Sequence, residues 1–146
     1  MPAAERTLRV DVTPPQLMAL LTDFASYPDF LPDMREAVVL KASERQWEVR
    51  FSLQVIRTLT YTLRLRQPDP MTLQWSLVEG LFRSNVGSWS LVEVPGGTEA
   101  TYQIDIQLGM FVPSSIVRSL VDTGLPETLE RFRAEAVRRG TAQAGD

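Results

Sequence analysis

The chain of 146 residues contains neither cysteine nor histidine. Those absences remove disulfides, thiolate nucleophiles, zinc sites of thiolates and imidazoles, and every mechanism that passes a proton through an imidazole. Any chemistry must come from Asp, Glu, Tyr, Arg, Ser or Thr. The acids are scattered rather than clustered, which speaks against an all-carboxylate metal site. Neither a metal nor a cofactor is expected. Lysine is nearly missing too: Lys41 is the single one among fifteen basic residues, and the net charge is −3. No basic field exists to draw in a phosphate backbone, so direct nucleic-acid contact is not expected. No apolar run approaches the roughly 18 residues of a membrane-crossing helix. Met1 to Val10 lacks the apolar stretch of a signal peptide. The expectation is a cytoplasmic protein whose contact with a membrane is at most transient.

What is present is periodic. Hydrophobic residues make up 44% and charged residues 23%, the balance of an ordinary globular domain, and the length suits one core. Leu8, Val10 and Val12 alternate with Arg9 and Asp11, predicting a first strand. Thr13-Pro14-Pro15-Gln16 predicts a helix start: Thr13 caps, Pro14 takes the first helical position, and Gln16 completes a capping box. Leu17, Met18, Leu21 and Phe24 mark that helix's buried face. Pro28 and Pro32 break Tyr27 to Pro32 into a short turn or single helical turn.

Six strands then follow by period-two alternation. They are Ala37 to Lys41; Trp47 to Val55; Leu59 to Leu65; Leu73 to Leu77 after the Pro68-Asp69-Pro70 turn; Val86 to Val94; and Tyr102 to Leu108 after Pro95-Gly96-Gly97. Short links imply antiparallel neighbours, with Gly87 and Gly109 as bend sites. A helix opening at Pro113-Ser114-Ser115 runs to about Arg139, with Val117, Leu120, Val121, Leu125, Leu129 and Phe132 as its apolar stripe. Pro126 predicts a kink in it. Residues 1–139 read as one domain and residues 140–146 as a frayed tail.

The order of elements resembles the START-like helix-grip superfamily, and within it the polyketide cyclase/dehydrase and coenzyme-Q-binding branch. Three stretches carry the likeness: Asp23 to Pro32; Glu79-Gly80-Leu81-Phe82-Arg83 followed by Gly87-Ser88-Trp89-Ser90-Leu91; and Gly97 to Tyr102. The resemblance implies an α+β fold, a curved antiparallel seven-stranded sheet wrapped around a long C-terminal helix, with two short N-terminal helices. It settles function poorly, since such proteins bind lipids, quinones or polyketides and some associate with ribosomes.

An apolar cavity between sheet and helix is the place to look for function. Its expected lining is Phe30, Phe51, Tyr61, Leu63, Trp75, Leu77, Trp89, Tyr102, Ile104, Val121 and Leu125. Taken singly, each of these side chains, like the inward Trp47, reads as ordinary core. Together, bulky aromatics on a concave face border a void, and Trp and Tyr each bring a polar handle. Glu79, Phe82 and Arg83 are placed at the rim, where Glu79 and Arg83 either pair across the hairpin, meet a ligand, or form a solvated pair of little worth. Asn85 stands near the same rim. Met110 and Phe111 lie in the longest stretch without a charge, Ile106 to Val117, which suits an apolar lip or a buried junction. The leading expectation is carriage or sequestration of a hydrophobic small molecule. A polyketide cyclase or aromatase is the first alternative, with Tyr61 and Tyr102 as its only inward proton donors. A macromolecular interaction module of the ribosome-associated type is the second, its protein partner unknown.

Overall fold

The structure is a computed structural model that describes residues 3–54, 58–80, 82–108, 115, 118 and 125–144. In chain order the elements are β1 (Ala3–Val10), α1 (Pro14–Leu21), a 3-10 turn (Phe24–Ser26), α2 (Tyr27–Phe30), β2 (Met34–Ser43), β3 (Gln46–Gln54), β4 (Thr58–Asp69), β5 (Thr72–Gly80), β6 (Phe82–Val94), β7 (Gly97–Leu108) and α3 (Leu125–Ala144). Among the described residues seven strands form one antiparallel sheet in the order β1-β7-β6-β5-β4-β3-β2. Only β1 is out of sequence. The chain leaves β1 at one edge, crosses the concave face through α1 and α2, and starts β2 at the other edge.

The capping box at Thr13 forms as the spacing predicts. Gln16 N–H donates to Thr13 Oγ1 at 3.3 Å, and Thr13 N–H donates to Gln16 Oε1 at 2.9 Å, which satisfies two donors that the first turn otherwise strands. α1 ends at Thr22, whose hydroxyl donates back to the Met18 carbonyl at 2.9 Å. Its buried face is wider than the predicted one, because Leu20 joins Leu17, Met18 and Leu21.

Several boundaries differ from expectation. β1 begins earlier and stops at Val10. Val12 is buried beyond its end, its carbonyl taken by the Thr98 hydroxyl at 2.7 Å. β4 passes through Pro68 to Asp69. Gln67 N–H still donates to the Arg45 carbonyl on the β3 side at 2.9 Å, so the position of the missing proline N–H faces β5, where the register shifts between Arg66 and Asp69. The turn falls at Pro70–Met71, where Asp69 Oδ1 accepts from Met71 N–H at 2.9 Å. α3 continues past Arg139 to Ala144. Gly140 lies inside it, and a Cβ there would stand 2.8 Å from Val12 Cγ1, so the helix and the β1–α1 corner meet closely. Gly109, the predicted helix opening at Pro113-Ser114 and the stripe residues Val117, Leu120 and Val121 lie outside the described residues, as does Val55.

The core sits between the concave face and the helices. Leu17, Leu20, Leu21, Phe24, Val49, Leu73, Phe132 and Ala136 are buried there. The convex face carries alternating polar side chains, with ion pairs Arg50–Glu36 and Arg64–Glu48 at 3.1 Å each.

Candidate functional site

Sheet and helices do not close completely on one another. They leave a cavity of about 470 Å³ between the middle strands, the α2–β2 turn and the start of α3. Strand alternation supplies most of its wall: Phe51 and Leu53 from β3, Tyr61, Leu63 and Leu65 from β4, Leu73 and Trp75 from β5, Asn85 and Trp89 from β6, and Tyr102, Ile104 and Ile106 from β7. Leu125, Leu129 and Phe132 cover it from α3. Tyr27, Leu31, Pro32 and Met34 close one side. The described charged groups in the lining, Asp33, Glu127 and Arg131, are exposed side chains.

Aromatic rings brace this wall. Phe132 meets Tyr27 edge-on at 5.2 Å, Phe30 at 5.2 Å and Trp89 at 5.7 Å. Tyr102 meets Trp89 at 4.9 Å and Trp75 at 5.5 Å, while Phe51 stacks on Tyr27 at 6.0 Å. Edge-to-face contacts hold large rings at fixed angles rather than letting them collapse together. Tyr27 is pinned further by a buried hydrogen bond, its hydroxyl donating to the Leu21 carbonyl at 2.5 Å. The Tyr27 turn is thus fastened to the end of α1.

A polar pair interrupts the apolar wall. Trp75 Nε1–H donates to Asn85 Oδ1 at 3.2 Å, and Asn85 is only 4% exposed. The two residues sit where the sheet parts. The β5·β6 ladder ends at Trp75·Gly87 among the described residues, whereas β4·β5 runs on to Tyr61·Gly80 and β6·β7 to Phe82·Leu108. The Trp75 ring lies directly over Gly87: a Cβ at that position would come 2.3 Å from Trp75 Cζ2.

Of the residues expected to line the cavity, Phe51, Tyr61, Leu63, Trp75, Trp89, Tyr102, Ile104 and Leu125 do so. Phe30 does not; it packs behind Phe132 and Tyr27. Leu77 packs half-buried against the core without reaching the lining. Trp47 lies against Phe24 at 5.4 Å, away from the cavity. Val121, Met110 and Phe111 fall outside the described residues. Glu79 and Arg83 are exposed and form no ion pair among the described residues. Divergence of β5 from β6 removes the cross-hairpin pairing that their positions suggest. Phe82 opens β6 opposite Leu108; its side chain is outside the described part. Asn85 is the residue the sequence places least well: it stands inside the cavity rather than on the rim. The signal was its parity with Gly87 and Trp89, which puts it on the concave face.

No acid and base converge here among the described residues. Burial holds the Tyr27, Tyr61 and Tyr102 hydroxyls far above the ordinary phenol range, and neighbouring phenols reinforce this at Tyr27 and Tyr102. All three stay protonated at neutral pH. They can donate and accept hydrogen bonds but do not serve as bases. Among the described residues no group of three or more Asp or Glu gathers to hold a metal ion, and no helix is long and apolar enough to cross a membrane.

A curved antiparallel sheet gripping a C-terminal helix over an apolar cavity defines a START-like, helix-grip protein. The family described as polyketide cyclase / dehydrase and lipid transport matches residues 10–133, and the chain belongs to it. Two curated bacterial proteins are similar in sequence. The persistence and stress-resistance toxin PasT of Escherichia coli O6:H1 is 29% identical over 90 residues, 61% of this chain and 57% of that protein. The chain thus matches little more than half the length of PasT. The ribosome association toxin RatA of Escherichia coli K12 is 22% identical over 145 residues, 99% of this chain and 87% of RatA. Among solved structures, TTHA0849 from Thermus thermophilus superposes with a TM-score of 0.80 at 16% identity, covering 97% of this chain and 99% of that one. The Zhui aromatase/cyclase from Streptomyces sp. R1128 gives a TM-score of 0.76 at 17% identity, covering 94% of each chain. At such identities the likeness is one of fold.

Proposed function

We propose that this protein carries or sequesters an elongated hydrophobic small molecule, a lipid, quinone or polyketide, in the cavity between its sheet and α3. The supporting observation is the cavity itself: about 470 Å³ walled by aliphatic and aromatic side chains, with its described charges on exposed residues. Volumes of roughly 300–1,000 Å³ are those of small-molecule sites. Left dry, a cavity of 470 Å³ would cost on the order of 10 kcal/mol at about 24 cal/mol per Å³. That equals the whole stability of an ordinary domain, roughly 5–15 kcal/mol. Water or a guest must fill it, and an apolar guest releases that water. The protonated tyrosines make a poor proton-transfer set, which favours carriage over cyclisation.

A second reading has its own support. Similarity to the ribosome association toxin RatA extends over 99% of the chain, which suits a module that docks on a macromolecular assembly. Native mass spectrometry of the protein purified from its own host, with gradient sedimentation of the same lysate, separates the readings. A stoichiometric apolar adduct on free protein supports carriage. Protein without an adduct that sediments with ribosomes overturns carriage in favour of the second reading, and conversion of a linear poly-β-ketone overturns it in favour of a cyclase.

A further inference from the structure

The cavity carries a hydrogen-bonding feature that a purely greasy guest does not use. Asn85 lies on β6 with its side chain in the cavity wall, and only 4% of the residue is exposed. The orientation of its carboxamide is fixed by chemistry. Trp75 Nε1–H can only donate, so the Asn85 atom at 3.2 Å from it is the oxygen. That leaves Nδ2, a donor with no acceptor capacity, on the other side of the amide. No described residue accepts a hydrogen bond from it, and it is not sealed from the cavity space. The indole is in turn held at 5.5 Å by the Tyr102 ring, so Trp75 and Asn85 form a braced unit rather than a loose pair.

From this we infer that Asn85 Nδ2 is the anchor for an uncharged carbonyl oxygen on the guest, so that the cavity selects ketone-, quinone- or ester-bearing apolar molecules over plain hydrocarbons and over fatty-acid anions. This rests on the carriage reading above and narrows its ligand class. A donor fixed by Trp75 recognises acceptors alone, whereas a tyrosine hydroxyl rotates to suit either kind of group. An acceptor that arrives satisfies a buried donor; a hydrocarbon leaves it unpaired. A carboxylate fares worse than a ketone. The strand side chains that line this cavity with Asn85 and Trp75 are uncharged, and the one described cation of the lining, Arg131, shares it with Asp33 and Glu127. An anion carried inward would be desolvated without a partner.

The test uses the full chain and the neutral fluorophore N-phenyl-1-naphthylamine as the displaceable probe, titrated at pH 7.5 with 2-dodecanone, dodecane and dodecanoate. The ketone should displace the probe about three- to tenfold more tightly than the alkane, the worth of one neutral hydrogen bond, and dodecanoate should be the weakest. With a ¹³C-carbonyl label, the bound ketone's infrared stretch should fall below its frequency in alkane solvent. In Asn85→Leu combined with Trp75→Phe, which removes both the amide donor and the indole N–H it would leave unpaired, the ketone-to-alkane ratio should drop to about one and the frequency shift vanish. Equal binding of ketone and alkane, an unshifted carbonyl, or tighter binding of dodecanoate would overturn the inference and leave carriage standing. A probe that does not bind the wild-type protein at all would overturn both.

Discussion

Gly87 is a position where a single added methyl group should be felt strongly. It pairs with Trp75 on one side and Ile104 on the other, at the last rung before β5 and β6 part. A Cβ there would stand 2.3 Å and 2.5 Å from two indole carbons of Trp75 and 2.6 Å from the Gln103 carbonyl oxygen. Contacts under 3.0 Å cannot be accommodated without movement. Neither neighbour yields cheaply. The indole is tied to Asn85 and packed on Tyr102, and the carbonyl belongs to the β7 backbone. Overpacking of this kind costs about 1–3 kcal/mol. In a domain of this size each kcal/mol moves the melting temperature by about 2–4 °C. Gly87→Ala is therefore expected to melt about 2–12 °C below wild type by differential scanning calorimetry. Adding Trp75→Leu should recover part of the loss, because the two sites share one contact. The exposed neighbour Val86, mutated to Ala, serves as the control. A Gly87→Ala protein that melts within about 1 °C of wild type would refute the close approach of Trp75 to the β6 backbone, and with it the braced wall.

Three further expectations can be checked with standard measurements. Tyr27→Phe removes the buried bond to the Leu21 carbonyl and should lower stability by about 1–2 kcal/mol in urea titrations, since a buried acceptor loses its donor. Leu63→Trp projects a larger ring into the cavity and should cut the apolar adduct in native mass spectra at least tenfold while the circular dichroism stays native. Glu135 is held at about 2 by a hydrogen bond from Arg138, with Arg139 adding to it against the opposing effect of burial. Its folded value lies below the unfolded 4.5, so its stabilising effect is full above pH 4.5 and fades as pH falls toward 2. Glu135→Gln should lower the melting temperature at pH 7 and draw level with wild type near pH 2; a constant gap across that window would contradict the Arg138–Glu135–Arg139 cluster.

Period-two alternation revealed every strand, because a half-buried sheet writes its two faces into successive side chains. The Thr13–Gln16 spacing revealed α1 because a capping box is satisfied locally. Strand ends are less legible: Pro68 looks like a terminator, yet it falls where the β4·β5 register shifts, and only the ladder shows that. Trp47, Trp75 and Trp89 look alike in the sequence, being inward tryptophans of β3, β5 and β6. In the fold they part company. Trp47 is covered by Phe24, whereas Trp75 and Trp89 border the cavity.

Sequence alone thus determined which side chains face inward, and that neither thiol nor imidazole chemistry can be performed, since both follow from residue identity and local period. Tertiary structure decided which inward side chains border space and which are simply packed, and it carried Asn85 from a supposed rim into the wall. The physical reason is that volume left between two curved surfaces depends on their separation and on the register of many strands at once. No local stretch of chain encodes that distance; it emerges only when β3 to β7 and α3 are set against one another.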